Sequence, residues 1–481
     1  MRRFFVQNIF FLILVNLIVK PLWIFGIDRN VQLAVGHEVY GQYQALLNFS
    51  IIFQVLLDFG LQSYNNRAVA QAPHTLRTLF PNILVAKGVL SVIYLLLITV
   101  LGLLLGYRGH AFFLLLILGM VQVLNSLVLY LRSNVSAMHH FKTDGLLSVL
   151  DRLVMILICS VLLFKDTFSQ YFKIEWFLYA QIISYVITSL TAFLICTRFT
   201  RIDWKHYELR KVWVICRNSV PYAVLVFLMA IYLRSDVLLM ERLLKNGRYE
   251  AGVYAAAYRL LDVANNVTGV LFAGMLLPMF GSMLAKKEPV QPLLRLTVNL
   301  IVPVAITAVI TAGFMGNEIM MLQLKGGAKA YEGRVFSVLM IAFPAFCINY
   351  IYMTLITAEG SLKQLIKVAA GAVVINLGLN FILMPYYGAL GAAITACVTL
   401  YFVTVVNIFL AQKIIRLRTD LRWVLQYILF IVLILVLAKG MMLLPVSVAV
   451  RLLLIACGGG ISMLVCGFVP FRKIMEMLKN R

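Results

Sequence analysis

The sequence predicts an all-α polytopic membrane protein of about fourteen transmembrane helices. Three observations carry that expectation. Of the 481 residues, 62% are hydrophobic and only 13% charged, whereas a soluble chain is about 45–50% apolar and about 25% charged. Apolar runs of roughly twenty residues, the length that crosses a bilayer, recur from one end to the other. Between them no loop exceeds roughly twenty residues, so no soluble catalytic or nucleotide-binding domain fits. A transmembrane barrel is excluded because the runs are continuous, without two-residue alternation. Nucleic-acid binding is excluded with the soluble classes.

Taken in order, the runs fall at about 4–27, 42–63, 80–106, 111–131, 146–164, 174–197, 213–233, 251–276, 294–316, 335–358, 366–384, 386–411, 423–438 and 446–469. The first imitates a signal peptide. It lacks a small-x-small cleavage site and runs on into Lys20-Pro21-Leu22-Trp23, so it reads as an uncleaved span. With the N-terminus in the cytoplasm, 24 of the 42 Lys and Arg fall in inner loops and tails. The positive-inside rule then places both termini of this inner-membrane-type protein in the cytoplasm. Most of the net charge of +23 is thus a topology signal rather than the mark of an anionic partner.

The seven cysteines all sit in apolar runs with no C-x-x-C pair, and read as small hydrophobes rather than disulfides or metal ligands. The six histidines lie in loops or at span ends, against an intramembrane histidine relay. No G-x-x-x-x-G-K-[ST] loop occurs, so transport driven by ATP hydrolysis within this chain is excluded. Neither a cofactor nor a metal is expected.

Two stretches match at a fixed offset of 211 residues. Gly36-His-Glu-Val-Tyr-Gly41-Gln-Tyr43-Gln-Ala45 lies over Gly247-Arg-Tyr-Glu-Ala-Gly252-Val-Tyr254-Ala-Ala256. Each opens an outer-to-inner span, and each follows an acid–base pair, Asp28-Arg29 or Arg234-Ser235-Asp236. Six spans precede the second unit, which implies a parallel repeat. The expected organisation is a six-helix bundle at 1–211, a second at 212–411, and two extra helices with a basic cytoplasmic tail at 412–481. Repeats of this kind recur in secondary transporters, with the substrate site where the halves meet.

Charged residues inside the spans are the candidate site. Lys20 lies within the first span, and Pro21 beside it frees a carbonyl one turn back, so a kink is expected there. Arg259 and Asp262, at i and i+3, form a stripe that avoids lipid. Lys87, the Asp151–Arg152 pair and Arg217 are expected to snorkel toward the inner interface. Asp58 is expected to pair with Arg67 or Lys87. Pro21, Pro221 and Pro303 are candidate flex points. Embedded cations outnumber embedded acids, with Arg29 and Arg234 at the outer mouth, and that balance favours an anionic ligand.

The opening Arg-Phe-Phe-x-Gln-Asn and Lys20-Pro-x-Trp-Ile-Phe-Gly-Ile-Asp-Arg resemble the polysaccharide-transporter family of lipid-linked oligosaccharide (O-antigen-type) flippases. So do Gly36-x-Glu-x-Tyr-Gly-x-Tyr, Asp58-Phe-Gly-Leu and Gly252-Val-Tyr-Ala-Ala-Ala-Tyr-Arg-Leu. That family belongs to the multidrug/oligosaccharidyl-lipid/polysaccharide (MOP) exporter superfamily. The resemblance spans nearly the whole chain and implies a V-shaped pair of six-helix bundles around a cationic cavity. It implies no enzymatic activity, but alternating-access translocation of an undecaprenyl-pyrophosphate-linked oligosaccharide for surface polysaccharides such as lipopolysaccharide. By that analogy Lys20, Arg29, Arg217, Arg234 and Arg259 contact the head group, and Asp58, Asp236 and Asp262 serve gating or ion coupling. Membrane lipids surround the protein, and a polysaccharide polymerase or glycosyltransferase is a candidate partner. The rival readings are a lipid II flippase, a multidrug–cation antiporter, and a membrane glycosyltransferase or polymerase.

Overall fold

In a computed structural model of the chain, eleven helices among the described residues are long and apolar enough to cross a membrane. The structure describes residues 19, 21–62, 64–65, 69, 75–138, 140–199, 209–327, 329–415 and 420–468. Among them every regular element is helical. The eleven correspond to eleven of the fourteen expected spans, and the protein is a multi-pass membrane protein. Of the other three, the first lies largely outside the described residues. The second overlaps the helix Arg29–Ile52 and runs past its end, and the eighth falls within the helix Gly247–Ala285. The second is too polar to count, because it carries His37, Glu38, Gln42, Gln44 and Asn48.

The helices are α1 (Arg29–Ile52), α2 (Leu76–Leu104), α3 (Gly109–Ala137), α4 (Phe141–Phe164), α5 (Ile174–Phe199), α6 (Leu209–Leu243) and α7 (Gly247–Ala285). They continue with α8 (Gln291–Gln323), α9 (Ala330–Met340), α10 (Ala342–Glu359), α11 (Leu362–Tyr387), α12 (Ala389–Ile415), α13 (Leu421–Met442) and α14 (Val448–Val465). α9 and α10 are two parts of one span.

By its internal contacts the chain divides into two compact units, Met1–Ala255 and Ala256–Arg481. In the first, α3 packs on α5, α1 on α6, α4 on α5 and α2 on α3. One core gathers Trp23, Tyr40, Phe49, Tyr94 and Phe177, and a second gathers Phe80, Tyr130, Leu147 and Cys196. A further tie reaches the end of α6. Tyr107, in the α2–α3 turn, donates its hydroxyl to Glu241 at 2.5 Å, and the Arg242 guanidinium lies 3.7 Å from the Tyr107 ring centre. Burial first, then the Glu241 carboxylate, pushes the Tyr107 phenol above its ordinary range.

The second unit is built on α8, α10 and α12. Asn407 of α12 donates to Asn349 of α10 at 2.7 Å, and Thr404 donates to the Ala345 carbonyl at 2.8 Å. Two helices worth of apolar surface are held together here by a few buried amides and hydroxyls, as is usual where lipid removes the hydrophobic drive between helices. The last pair, α13 and α14, docks on α8. Asn299 of α8 accepts from the Trp423 indole at 2.7 Å and the Tyr427 hydroxyl at 3.1 Å. Both helices leave most of their surface exposed.

The first two spans differ from expectation. The chain after Pro21 winds as a π-helix over Leu22–Asp28, consistent with the kink expected at that proline. The helix does not end near Asp28, however, but continues to Val35. A single residue, Gly36 (φ 80°, ψ 169°), then turns the chain into His37–Ile52. That conformation is open essentially to glycine alone. Pro221 and Pro303 lie inside α6 and α8. The irregular residue of α8 is Met315 (φ −122°) rather than its proline.

The repeated glycines meet. A Cβ on Gly41 would collide with the Arg248 carbonyl, and a Cβ on Gly252 with the His37 carbonyl. These pairs map onto each other under the 211-residue offset, so the two helices cross through equivalent positions, backbone to backbone. Gln32 spans the same crossing, donating to the Gly252 carbonyl at 2.9 Å. Gly41→Ala and Gly252→Ala should each destabilise the detergent-solubilised protein by about 1–3 kcal/mol through overpacking. Gly36→Ala should cost a similar amount, about 1–3 kcal/mol, through backbone strain. Gly378→Ala, where a Cβ meets nothing within 4 Å, is the control. Thermal midpoints check this, and equal midpoints for all four variants would remove the crossing as a constraint.

Candidate functional site

The first unit carries a polar interior assembled around the irregular end of the first span. After Pro21 the wider π winding replaces the ordinary i→i−4 ladder. Within it Asn30 donates its amide to the Gly26 carbonyl at 2.6 Å. The winding delivers Asp28 opposite Tyr40, whose hydroxyl lies 2.9 Å from both carboxylate oxygens. Gln44, one turn on, donates to the Tyr40 hydroxyl at 2.8 Å. Gln44, Tyr40 and Asp28 thus form a relay along one side of His37–Ile52, ending on a carboxylate.

An aromatic wall stands beside it. Trp23 stacks on Phe177 of α5 with ring centres 5.7 Å apart, and Tyr43 meets the same ring edge-on. Gln181 of α5 donates to the Tyr43 hydroxyl at 3.3 Å. From α4, the Arg152 guanidinium lies 5.3 Å over the Trp23 ring, with its Nε 3.5 Å from the buried Asp151 carboxylate. Asp28, Tyr43 and Tyr185 lie within its electrostatic reach. One cation, two carboxylates, three phenols and three amides therefore share one interior. Such a site can hold a polar group by hydrogen bonds and stacking, with the guanidinium as the anion-facing element.

Of the predicted site residues, Lys20 lies outside the described residues. Arg29 opens α1 half-buried, and Arg234 is half-buried on α6. Asp236 is buried and accepts from the Tyr254 hydroxyl at 3.0 Å. Asp28–Tyr40 and Asp236–Tyr254 are alike in kind, each joining a helix before a repeat glycine to the helix after it. Arg217 is exposed on α6. Arg259, buried, and Asp262, half-buried, lie on α7 in the second unit. Arg29, Arg234, Arg259 and Asp262 each have at least one polar, ionic or ring contact.

Asp58 and Lys87 are brought together, with Lys87 Nζ 3.1 Å from Asp58 Oδ1. The expected pairing with Lys87 therefore holds, but the expected snorkelling of Lys87 does not. α2 starts at Leu76, so Lys87 stands about 16 Å along the helix at 1.5 Å per residue. It is 5% exposed. Arg152 also turns inward, onto Trp23, rather than out along the membrane surface.

Asp28 as an internal acid, and Tyr40, Tyr43, Gln44 and Gln181 as its surroundings, were not singled out by charge alone. The signal in the chain is faint, as polar residues at 40, 44 and 48 on one helical face.

The model of the polysaccharide biosynthesis protein family matches residues 5–284. No curated protein matches the sequence significantly. Among solved structures, the lipid II flippase MurJ in an inward closed conformation is similar over 98% of this chain and 99% of its own, with a TM-score of 0.71 at 13% identity. An inward-facing multidrug resistance MATE family transporter of the MOP superfamily is similar over 82% of this chain and 94% of its own, with a TM-score of 0.64 at 15% identity. The Vibrio cholerae MATE transporter VcmN, as a point mutant, is similar over 85% of this chain and 95% of its own, with a TM-score of 0.61 at 15% identity. At these identities the likeness establishes the fold. With its family model covering more than half of its length, the chain belongs to the polysaccharide biosynthesis protein family.

Proposed function

We propose that this protein is a flippase that carries an undecaprenyl-pyrophosphate-linked oligosaccharide from the inner to the outer leaflet of the bacterial cytoplasmic membrane. The observation that carries the reading is a polysaccharide biosynthesis family membership on a chain whose fold matches a lipid-carrier flippase end to end. In this reading fourteen helices form two six-helix bundles, 1–211 and 212–411, with 412–481 as an added helix pair and tail. Both termini are cytoplasmic. The product feeds O-antigen-type surface polysaccharide assembly, with a polymerase or glycosyltransferase as partner. The protein moves its substrate without covalent chemistry.

The mechanism is alternating access. Lys20, Arg29, Arg217, Arg234 and Arg259 provide the cationic path for the pyrophosphate, whose oxygens suit guanidinium forks and ammonium point charges. Asp58, Asp236 and Asp262 act as gating or coupling acids that exchange partners between states. An intramembrane charge is expensive and marks a pathway by default, which supports assigning the embedded set to substrate. A lipid II flippase is the second reading, favoured by the similarity to MurJ.

Reconstitution in liposomes with a fluorescent short-chain undecaprenyl-pyrophosphoryl saccharide tests the proposal, reading how fast the head group becomes accessible to an impermeant reagent. Acceleration should require the protein. The Lys20→Ala/Arg259→Ala double variant should slow it by about tenfold or more, since each charged hydrogen bond contributes about 1.5–3 kcal/mol. Acceleration for lipid II alone would move the assignment to the second reading. An unchanged rate in the double variant would remove both residues from the path. Separately, a C-terminal fluorescent-protein fusion that folds only in the cytoplasm should fluoresce, and a dark fusion with full-length expression would reverse the orientation.

A further inference from the structure

The second span is broken within the membrane protein's interior. The helix from His37 ends at Ile52, a 3₁₀ turn covers Gln54–Leu57, and Phe59 (φ 42°) and Gly60 (φ 78°) turn the chain before helix resumes at Leu61. A positive φ at phenylalanine is strained. The break packs against α2, α3 and α6.

Three oxygens converge on it. They are the Leu57 carbonyl, the Asp58 carboxylate and the Ser126 hydroxyl from α3, and they surround Lys87 Nζ at 3.0, 3.1 and 2.8 Å. An ammonium has three protons, and each has one acceptor here. The Tyr130 ring lies 5.8 Å from the same nitrogen. Ser126 also donates to the Leu57 carbonyl at 3.2 Å, and Asp58 accepts from the Gln62 N–H at 3.3 Å, at the start of the resumed helix. Where transporter helices are discontinuous, carbonyls freed by the unwinding and half-helix ends commonly hold a monovalent cation.

We propose that the break in the second span is a monovalent-cation site filled by the chain's own Lys87 ammonium. The lysine is a tethered ion. It neutralises Asp58, satisfies the Leu57 carbonyl and latches the two halves of the span to α2 and α3. Because the charge is covalently held, the joint needs no free sodium or potassium. Asp58 is then one half of a latch, and opening of the joint requires withdrawal of Lys87. This role does not depend on which substrate the protein carries.

The test uses the full-length protein in detergent. Amide exchange of a peptide covering Phe53–Gln62 is read alongside the thermal midpoint. Lys87→Ala should speed exchange in that peptide by about tenfold or more, the loss expected when a charged hydrogen-bond donor is removed. Methylammonium chloride should restore most of the protection, and choline chloride at equal ionic strength should not. Lys87→Ala/Asp58→Asn should not respond to methylammonium. The wild type should be indifferent to replacing sodium by potassium or choline. Lys87→Met, which keeps the volume and loses the charge, should exchange as fast as Lys87→Ala. It carries the test if the alanine variant does not fold. Wild-type exchange in Lys87→Met, equal rescue by choline, no rescue by methylammonium, or a sodium-dependent wild type would each overturn the proposal.

Discussion

Within a bilayer a backbone amide or carbonyl finds no water, so every interruption of a helix must be answered by another part of the protein. Among its described residues the first unit has three interruptions in quick succession: the π-wound turn after Pro21, the bend at Gly36, and the break at Phe53–Gly60. Two of them dictate where polar side chains go. Asn30 answers the Gly26 carbonyl, and Lys87 with Ser126 answers Leu57. The polar interior of this unit is in that sense a consequence of its irregular backbone. The relay from Gln44 through Tyr40 to Asp28 exists because the π winding turns Asp28 toward the following helix.

The regular part of the fold was legible because hydropathy over about twenty residues reports lipid exposure directly. Spans such as Leu76–Leu104, Gly109–Ala137 and Ala389–Ile415 fall near their expected places. The second span begins earlier than the expected 42–63, for a physical reason. Its first turns carry Glu38, Gln42 and Gln44, whose polarity is compensated inside the protein and so lowers the apparent apolarity. Hydropathy also cannot see a helix break made by Asp58-Phe59-Gly60, since Phe59 scores as well in a turn as in a helix.

The site was legible only in part. The sign of the embedded charges could be read from the chain, and so could the Asp58–Lys87 pairing as one of two alternatives, with Arg67 the other. The direction of Lys87 and Arg152 could not, because a basic residue near a span end has two solutions, outward along its stem or inward to a partner. The choice is set by oxygens and rings on other helices, here Leu57, Ser126 and Trp23. The repeat was visible as glycines at matching positions. Their purpose, bringing two backbones into contact, emerges only when Gly41 and Gly252 face each other's carbonyls.

Gly36 has a mechanical meaning. The helix running to Val35 and the helix starting at His37 are joined by one residue, and consecutive Cα atoms stay about 3.8 Å apart across each peptide. A connection that short carries no slack. If the first helix slides or turns about its own axis, the head of the second must follow at once, and with it the Gly41–Arg248 crossing. The two helices behave as a crank and its arm, with the glycine as the pin. A longer loop at this place would let each helix move independently, and the push given at one would be lost before it reached the other.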